Sequence, residues 1–256
     1  MKLSYTLTLS LALATTLMAD TLNYQKAEEC NQKGDYQCAL RYSECNQKGD
    51  YQCALRYSIA SLDTDISAKA SQKEIATDYN NIGYFYNQLG DYDHAIGYYQ
   101  KALKIYERVL GTAHPDTAGS YNNIGAVLRA KGDLDGALNH YQKALKIYER
   151  VLGTAHPDTA LSYNNIGFVL QVKGDLDGAL NHYQKALKIY ERVLGTAHPD
   201  TARSYKNIGV VLFFKGDKAG ALKYLQKAYE VRKNTLGEDH PDTKSTQEDI
   251  SYIKSH

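Results

Sequence analysis

GSYNNIGAVLRAKGDLDGALNHYQKALKIYERVLGTAHPDTA (residues 119–160) is followed directly by LSYNNIGFVLQVKGDLDGALNHYQKALKIYERVLGTAHPDTA (161–202). The two 42-residue stretches differ at four positions: Gly119/Leu161, Ala126/Phe168, Arg129/Gln171 and Ala130/Val172. At about 100° per residue, these offsets place all four changes on one stripe, roughly 100° wide, of a single helix. Tyr79, Tyr121, Tyr163 and Tyr205 keep the same spacing, as do Gly83, Gly125, Gly167 and Gly209. A fixed period of this length is the signature of a stacked repeat architecture.

Within residues 119–160, Tyr121, Ile124, Gly125 and Leu128 recur at 3 and 4 spacing and predict a first helix over 120–130. Lys131-Gly132-Asp133 breaks it, with Gly132 suited to a left-handed backbone and Asp133 to capping the next helix. A second helix carries Ala137, Leu138, Tyr141, Ala144, Leu145 and Tyr148 on its inner stripe and ends near Gly153. Gly125 and Ala137 are small enough to let the two helices approach closely.

Tyr121-x-x-Ile124-Gly125-x-x-Leu128 followed by Ala137-x-x-x-Tyr141 resembles the tetratricopeptide repeat. The 42-residue period and the tail Val151-Leu152-Gly153-Thr154-Ala155-His156-Pro157-Asp158 resemble kinesin light chain in particular, though the coiled-coil heptads of that motor subunit are absent. The resemblance spans residues 76–243 and implies an all-α solenoid of helical hairpins, a right-handed superhelix with a concave peptide-binding groove. The expected organisation is a leader (1–19), a cysteine-containing helical cap (20–75), repeats at 76–118, 119–160, 161–202 and 203–242, and a terminal helix at 243–256.

The 256 residues carry a net charge of +1, which provides no global field for nucleic acid or an anionic membrane. Met1-Lys2 and the apolar run Leu3–Ala19 read as a secretory leader, cleaved after Ala14 or Ala19. An uncleaved anchor is the alternative, but the run is short for a membrane span and is interrupted by Ser and Thr. The mature chain is therefore expected to be exported, periplasmic or secreted, without stable membrane insertion.

All four cysteines lie in a tandem copy, 29–43 and 44–58. Even cysteine counts in exported chains favour disulfides. Cys30 and Cys38 flank one Lys-Gly-Asp turn and Cys45 and Cys53 another, whereas Cys38 and Cys45 on one helix would lie about 10.5 Å apart, too far to bridge. The predicted pairs are Cys30–Cys38 and Cys45–Cys53, tying an irregular N-terminal cap. A four-thiolate zinc site is the alternative, without the usual Cys-x2-Cys spacing. At the other end, the segment from Asp242 continues the period with Gln247, Ser251 and Lys254 at the Tyr, Gly and Leu positions, as a polar solenoid cap does.

The His-Pro-Asp-Thr ladder at 114, 156, 198 and 240 invites a metal reading, but its copies are a whole helix pair apart. Pro at the first helical position and Asp at the positive helix end make it a helix start. No metal or other cofactor is expected, and no catalytic residues are assigned. Ser251-x-x-Lys254 stands without the partners that a β-lactamase or penicillin-binding protein needs. The Cys-x7-Cys pairs are similar to those of secreted Sel1-like repeat proteins, some described as penicillin-binding or β-lactamase-like, which gives the enzyme alternative.

In tetratricopeptide arrays the first helices line the groove, and the varying stripe coincides with the family's groove positions. Carried over all repeats, it comprises Thr77, Tyr84, Asn87 and Gln88; Gly119, Ala126, Arg129 and Ala130; Leu161, Phe168, Gln171 and Val172; and Arg203, Val210, Phe213 and Phe214. Beside it run Asn80, Asn122, Asn164 and Lys206, where Asn side chains suit either an extended peptide backbone or ties between neighbouring helices. Phe213 and Phe214 are either groove contacts or core beneath the last helix. The chaperone-type carboxylate clamp wants Asn where Ala126, Phe168 and Val210 stand, leaving Arg203 and Lys206 as the only basic spot. The expected partner is a protein or peptide, with self-association also open.

Overall fold

The computed structural model describes Cys45 and residues 49–255, which form two compact units divided between Val109 and Leu110. Among the described residues are ten helices and no strand: α1 (Tyr51–Ser67), α2 (Gln72–Gln88), α3 (Tyr92–Val109), α4 (Pro115–Lys131), α5 (Leu134–Val151), α6 (Pro157–Val172), α7 (Leu176–Val193), α8 (Pro199–Phe214), α9 (Lys218–Leu236) and α10 (Pro241–Ser255). The all-α hairpin architecture expected from the period is what the chain forms.

In the first unit, Asp50 caps α1 by accepting from the Cys53 amide, and the α1–α2 corner closes with a capping box between Ser71 and Glu74. Ala54, Leu55 and Leu62 of α1 pack on Ile75, Ile82 and Phe85 of α2. Most of the duplicated unit expected to be irregular lies outside the described residues, while after Asp50 the cap runs as a regular helix. The reason is that Gly49-Asp50 repeats the Gly-Asp turn used elsewhere in the chain, with Gly49 at φ +72°. Cys45 and Cys53 stand on either side of that turn in bonding geometry, Cα atoms 5.8 Å apart. Cys30, Cys38, the leader and His256 lie outside the described residues.

In the second unit, α4/α5, α6/α7 and α8/α9 are hairpins and α10 lies against α9. The corner predicted at Lys131-Gly132-Asp133 forms as read: Gly132 has φ +88°, and Asp133 accepts from the Gly136 amide. Each first helix starts at its Pro, so the helical hairpins are phased four residues ahead of the 119, 161 and 203 boundaries. The phase of a repeat is arbitrary in sequence; the caps set it.

Close approach within each hairpin depends on the recurring glycine. A Cβ on Gly125 or Gly167 would lie 2.9 Å from the ring of Tyr141 or Tyr183, each fully buried. Between hairpins, a pair of branched residues faces backward. Ile166 and Val169 pack on Ala137 and Tyr141, Ile208 and Val211 on Ala179 and Tyr183, and Ile250 and Ile253 on Ala221 and Leu225. Helix α10 keeps this backward pair, while Gln247, Ser251 and Lys254, at the positions that elsewhere meet the hairpin partner, are exposed.

Candidate functional site

The first helices α6 and α8, and α8 and α10, touch one another, whereas the second helices of the unit make no comparable contact. The first helices therefore form the inner layer of the second unit, and their outward stripe is the candidate binding face.

Four large apolar side chains stand open on it: Phe168 (38% exposed), Val172 (53%), Phe214 (63%) and Tyr252 (55%). The Arg129 guanidinium lies 4.7 Å from the Phe168 ring centroid, and Tyr252 meets Phe213 edge-on at 5.9 Å. Both contacts join residues 39 apart in sequence, so a diagonal step between neighbouring first helices recurs along the face. Phe213 and Phe214 part ways here: Phe213 and Val210 pack against the Ile250 and Ile253 cluster, and only Phe214 keeps an open ring. Phe213 accordingly takes the core role that sequence alone left open. Tyr252 was missed, although the period itself places it in line with Ala126, Phe168 and Val210.

The Arg129/Gln171 difference reaches below the surface. Gln171 accepts the Tyr183 hydroxyl proton at 3.0 Å, whereas the equivalent Tyr141 hydroxyl is buried without a hydrogen-bond partner. Arginine has no acceptor to offer it. Burial pushes the Tyr141 phenol up to about 12, with the Arg129 charge opposing. Gly119 leaves room near the Tyr148 hydroxyl, Leu161 and Ala126 are half-buried, and Ala130 is exposed.

The Asn ladder divides toward ties between helices. Asn164 is buried and donates to Ser204 at 3.0 Å, and Asn165 donates to Asn122 at 2.9 Å. These amides hold neighbouring first helices together, the tying role that the sequence left open beside the peptide-holding one. Lys206 pairs with Asp249 at 3.0 Å and donates to Ser245, while Arg203 pairs with Asp200 at 2.9 Å. The basic spot is thus internally compensated. In the first unit, Tyr84 is 41% exposed, Gln88 is exposed, and Asn80 and Asn87 are half-buried. Thr77 is tied to Tyr106 at 3.1 Å.

The first three His-Pro-Asp-Thr copies share one capping arrangement. The Nδ1 atoms of His114, His156 and His198 accept from the Asp116, Asp158 and Asp200 amides, and Pro occupies the first turn. Thr117, Thr159 and Thr201, all fully buried, donate to the Gly111, Gly153 and Gly195 carbonyls. Histidine as the capping acceptor was not legible, because Ser, Thr, Asp and Asn are the usual N-caps. Among the described residues no three His, Cys, Asp or Glu side chains cluster as a metal site, and no helix is long and apolar enough to cross a membrane. Ser251 donates to the Gln247 carbonyl on its own helix, and Lys254 is exposed.

The profile of the Tetratricopeptide repeat family matches residues 74–150, 116–171 and 158–234, and the chain belongs to that family. BtubC (BKLC) from P. vanneervenii superposes with a TM-score of 0.69 at 22% identity, covering 90% of this chain and 94% of that one. A putative kinesin light chain from Podosopora anserina with nearly identical TPR-like repeats superposes at 0.65 with 16% identity, covering 82% of this chain and 97% of that one. No curated protein matches. The fold is one that generally mediates protein–protein interaction and is generally non-catalytic.

Proposed function

We propose that this chain is a non-catalytic scaffold that binds a segment of another protein along the first-helix face, with the varying stripe setting specificity. The observation that carries this reading is the confinement of all four differences between residues 119–160 and 161–202 to that face, two of which introduce Phe168 and Val172 as exposed apolar side chains. Drift over 42 positions would rarely select one stripe of one helix. Exposed apolar side chains flanked by polar ones are the common composition of an interaction surface. Export through the leader, with Cys30–Cys38 and Cys45–Cys53 oxidised, completes the proposal and accords with the Cys45–Cys53 geometry.

Affinity capture from the envelope of the producing cell tests it, comparing the wild type with a Phe168→Ala, Val172→Ala, Phe214→Ala variant of equal helicity. A partner held by the wild type and lost by the variant is the expected result. Equal recovery from both overturns the assignment of the face. Phe214 replaces Phe213 in this design because Phe213 belongs to the core.

A further inference from the structure

Helix α10 is fastened to the second unit differently from the other first helices. Asn164 of α6 ties to Ser204 of α8, and Asn165 of α6 ties to Asn122 of α4, so those junctions are joined by neutral groups. At α10 the equivalent places carry charge. Lys206 stands where α6 has Asn164, pairing with Asp249 at 3.0 Å and donating to Ser245 at 2.8 Å. Arg232 stands where α5 and α7 have Tyr148 and Tyr190. It is 7% exposed and donates to the Asp242 carbonyl at 3.0 Å and the Thr246 hydroxyl at 2.7 Å. Both acceptors are neutral, and burial pulls the guanidinium below its ordinary pKa.

The start of the helix differs as well. Thr117, Thr159 and Thr201 each donate to a glycine carbonyl in the preceding loop, whereas the equally buried Thr243 hydroxyl has no hydrogen-bond partner. A buried charge on neutral acceptors and a buried orphan hydroxyl both oppose docking. The equivalent positions of α6 and α8 carry neither.

What α10 covers adjoins the open face. Ile250 and Ile253 lie on Ala221 and Leu225 with Val210 and Phe213 packed beside them, and the Tyr252 ring meets Phe213. We infer that α10 is a displaceable lid, a helix that opens ahead of the rest of the second unit and uncovers Val210 and Phe213. The vacated slot fits an amphipathic helix of the partner with two aliphatic residues three apart, since Ile250 and Ile253 fill it in the closed form. Such a partner binds the open form and draws the equilibrium toward it. This use of the lid rests on the function proposed above, whereas its opening follows from the packing of α10 alone.

Hydrogen exchange of the full chain, read by mass spectrometry, tests the lid. Amides of α10 are expected to exchange at least about tenfold faster than those of α8. Terminal helices fray, so substitutions separate a built lid from an end effect. Thr243→Val removes the orphan hydroxyl and keeps its shape, and should slow α10 exchange about tenfold; Thr159→Val breaks the bond to Gly153 and should quicken α6. The Lys206→Asn, Arg232→Tyr, Asp249→Asn variant installs the residues found at Asn164, Tyr190 and Asn165, and should slow α10 by a similar factor at unchanged helicity. Exchange of α10 as slow as that of α8, or an α10 that Thr243→Val leaves unchanged or quickens, would overturn the lid. In affinity capture the triple variant should retain less partner than the wild type. Equal retention with α10 slowed would overturn the lid's part in binding, while equal retention by the Phe168→Ala, Val172→Ala, Phe214→Ala variant would overturn the binding face itself.

Discussion

Tyr205 of α8 donates its phenolic proton to Glu191 of α7 at 2.5 Å, joining the first helix of one hairpin to the second helix of the hairpin before it. Tyr163 and Glu149 repeat the relationship one hairpin earlier. With a lysine over each ring, the recurring tyrosine is held from both sides. Burial, followed by the Glu191 bond, pushes the Tyr205 phenol well above its ordinary range. Tyr205→Phe keeps the packing and removes the charge-assisted bond, so a loss of about 2 kcal/mol is expected in urea denaturation. No loss would show that the bond merely replaces an equally good one to water.

Arg129→Gln is expected to stabilise the protein. The substitution copies Gln171, giving the buried Tyr141 hydroxyl the acceptor it lacks, worth about 1–3 kcal/mol if the penalty is fully relieved. It forfeits the cation–π contact with Phe168, worth about 0.5–1 kcal/mol at an exposed site. The first effect wins, for a net gain near 1 kcal/mol by chemical denaturation. A net loss would mean that the Tyr141 hydroxyl is satisfied by water.

Gly167→Ala should destabilise by about 1–3 kcal/mol, the usual range for overpacking. The new methyl would meet the Tyr183 ring at 2.9 Å and the Ala179 carbonyl at 3.3 Å, and the buried ring has little room to retreat. Thermal denaturation measures it. An unchanged midpoint would show that the hairpin can open without cost.

Asp78 of α2 supplies a pH dependence in the first unit. Burial first, and then the Asp65 carboxylate beside it, push its carboxyl up to about 7, while its Oδ2 is buried without a hydrogen-bond partner. The folded value exceeds the unfolded one of about 4, so the folded state holds its proton more tightly. Stability from this pair is present below about pH 4 and is lost as the pH rises toward 7. Asp78→Asn should therefore stabilise the protein at pH 8, by about 1 kcal/mol after solvent screening, and have little effect at pH 4. Urea midpoints at the two pH values check it, and equal effects at both would refute the assignment.

The architecture was legible because its signals are local and repeated. A 42-residue period, Gly-Asp corners and Pro at helix starts report on backbone conformation within a few residues, and four copies average out exceptions. The varying stripe was legible for the same reason, since helical angle follows from residue number alone.

What only the tertiary structure decided is which of two chemically competent roles each side chain takes. Phe213 and Phe214 are identical in type and adjacent in sequence, yet α10 covers one and leaves the other 63% exposed. Asn164 had the donors and acceptors for a peptide backbone, but Ser204, 40 residues away, occupies them. Tyr252 lay on a helix read as a polar cap, because three of its inward positions are polar, while Ile250 and Ile253 still anchor it to α9. Burial depends on which distant element arrives to cover a residue. The sequence determined the helices and the face that varies; the packing of each helix on its neighbour decided which residues on that face remained open to a partner.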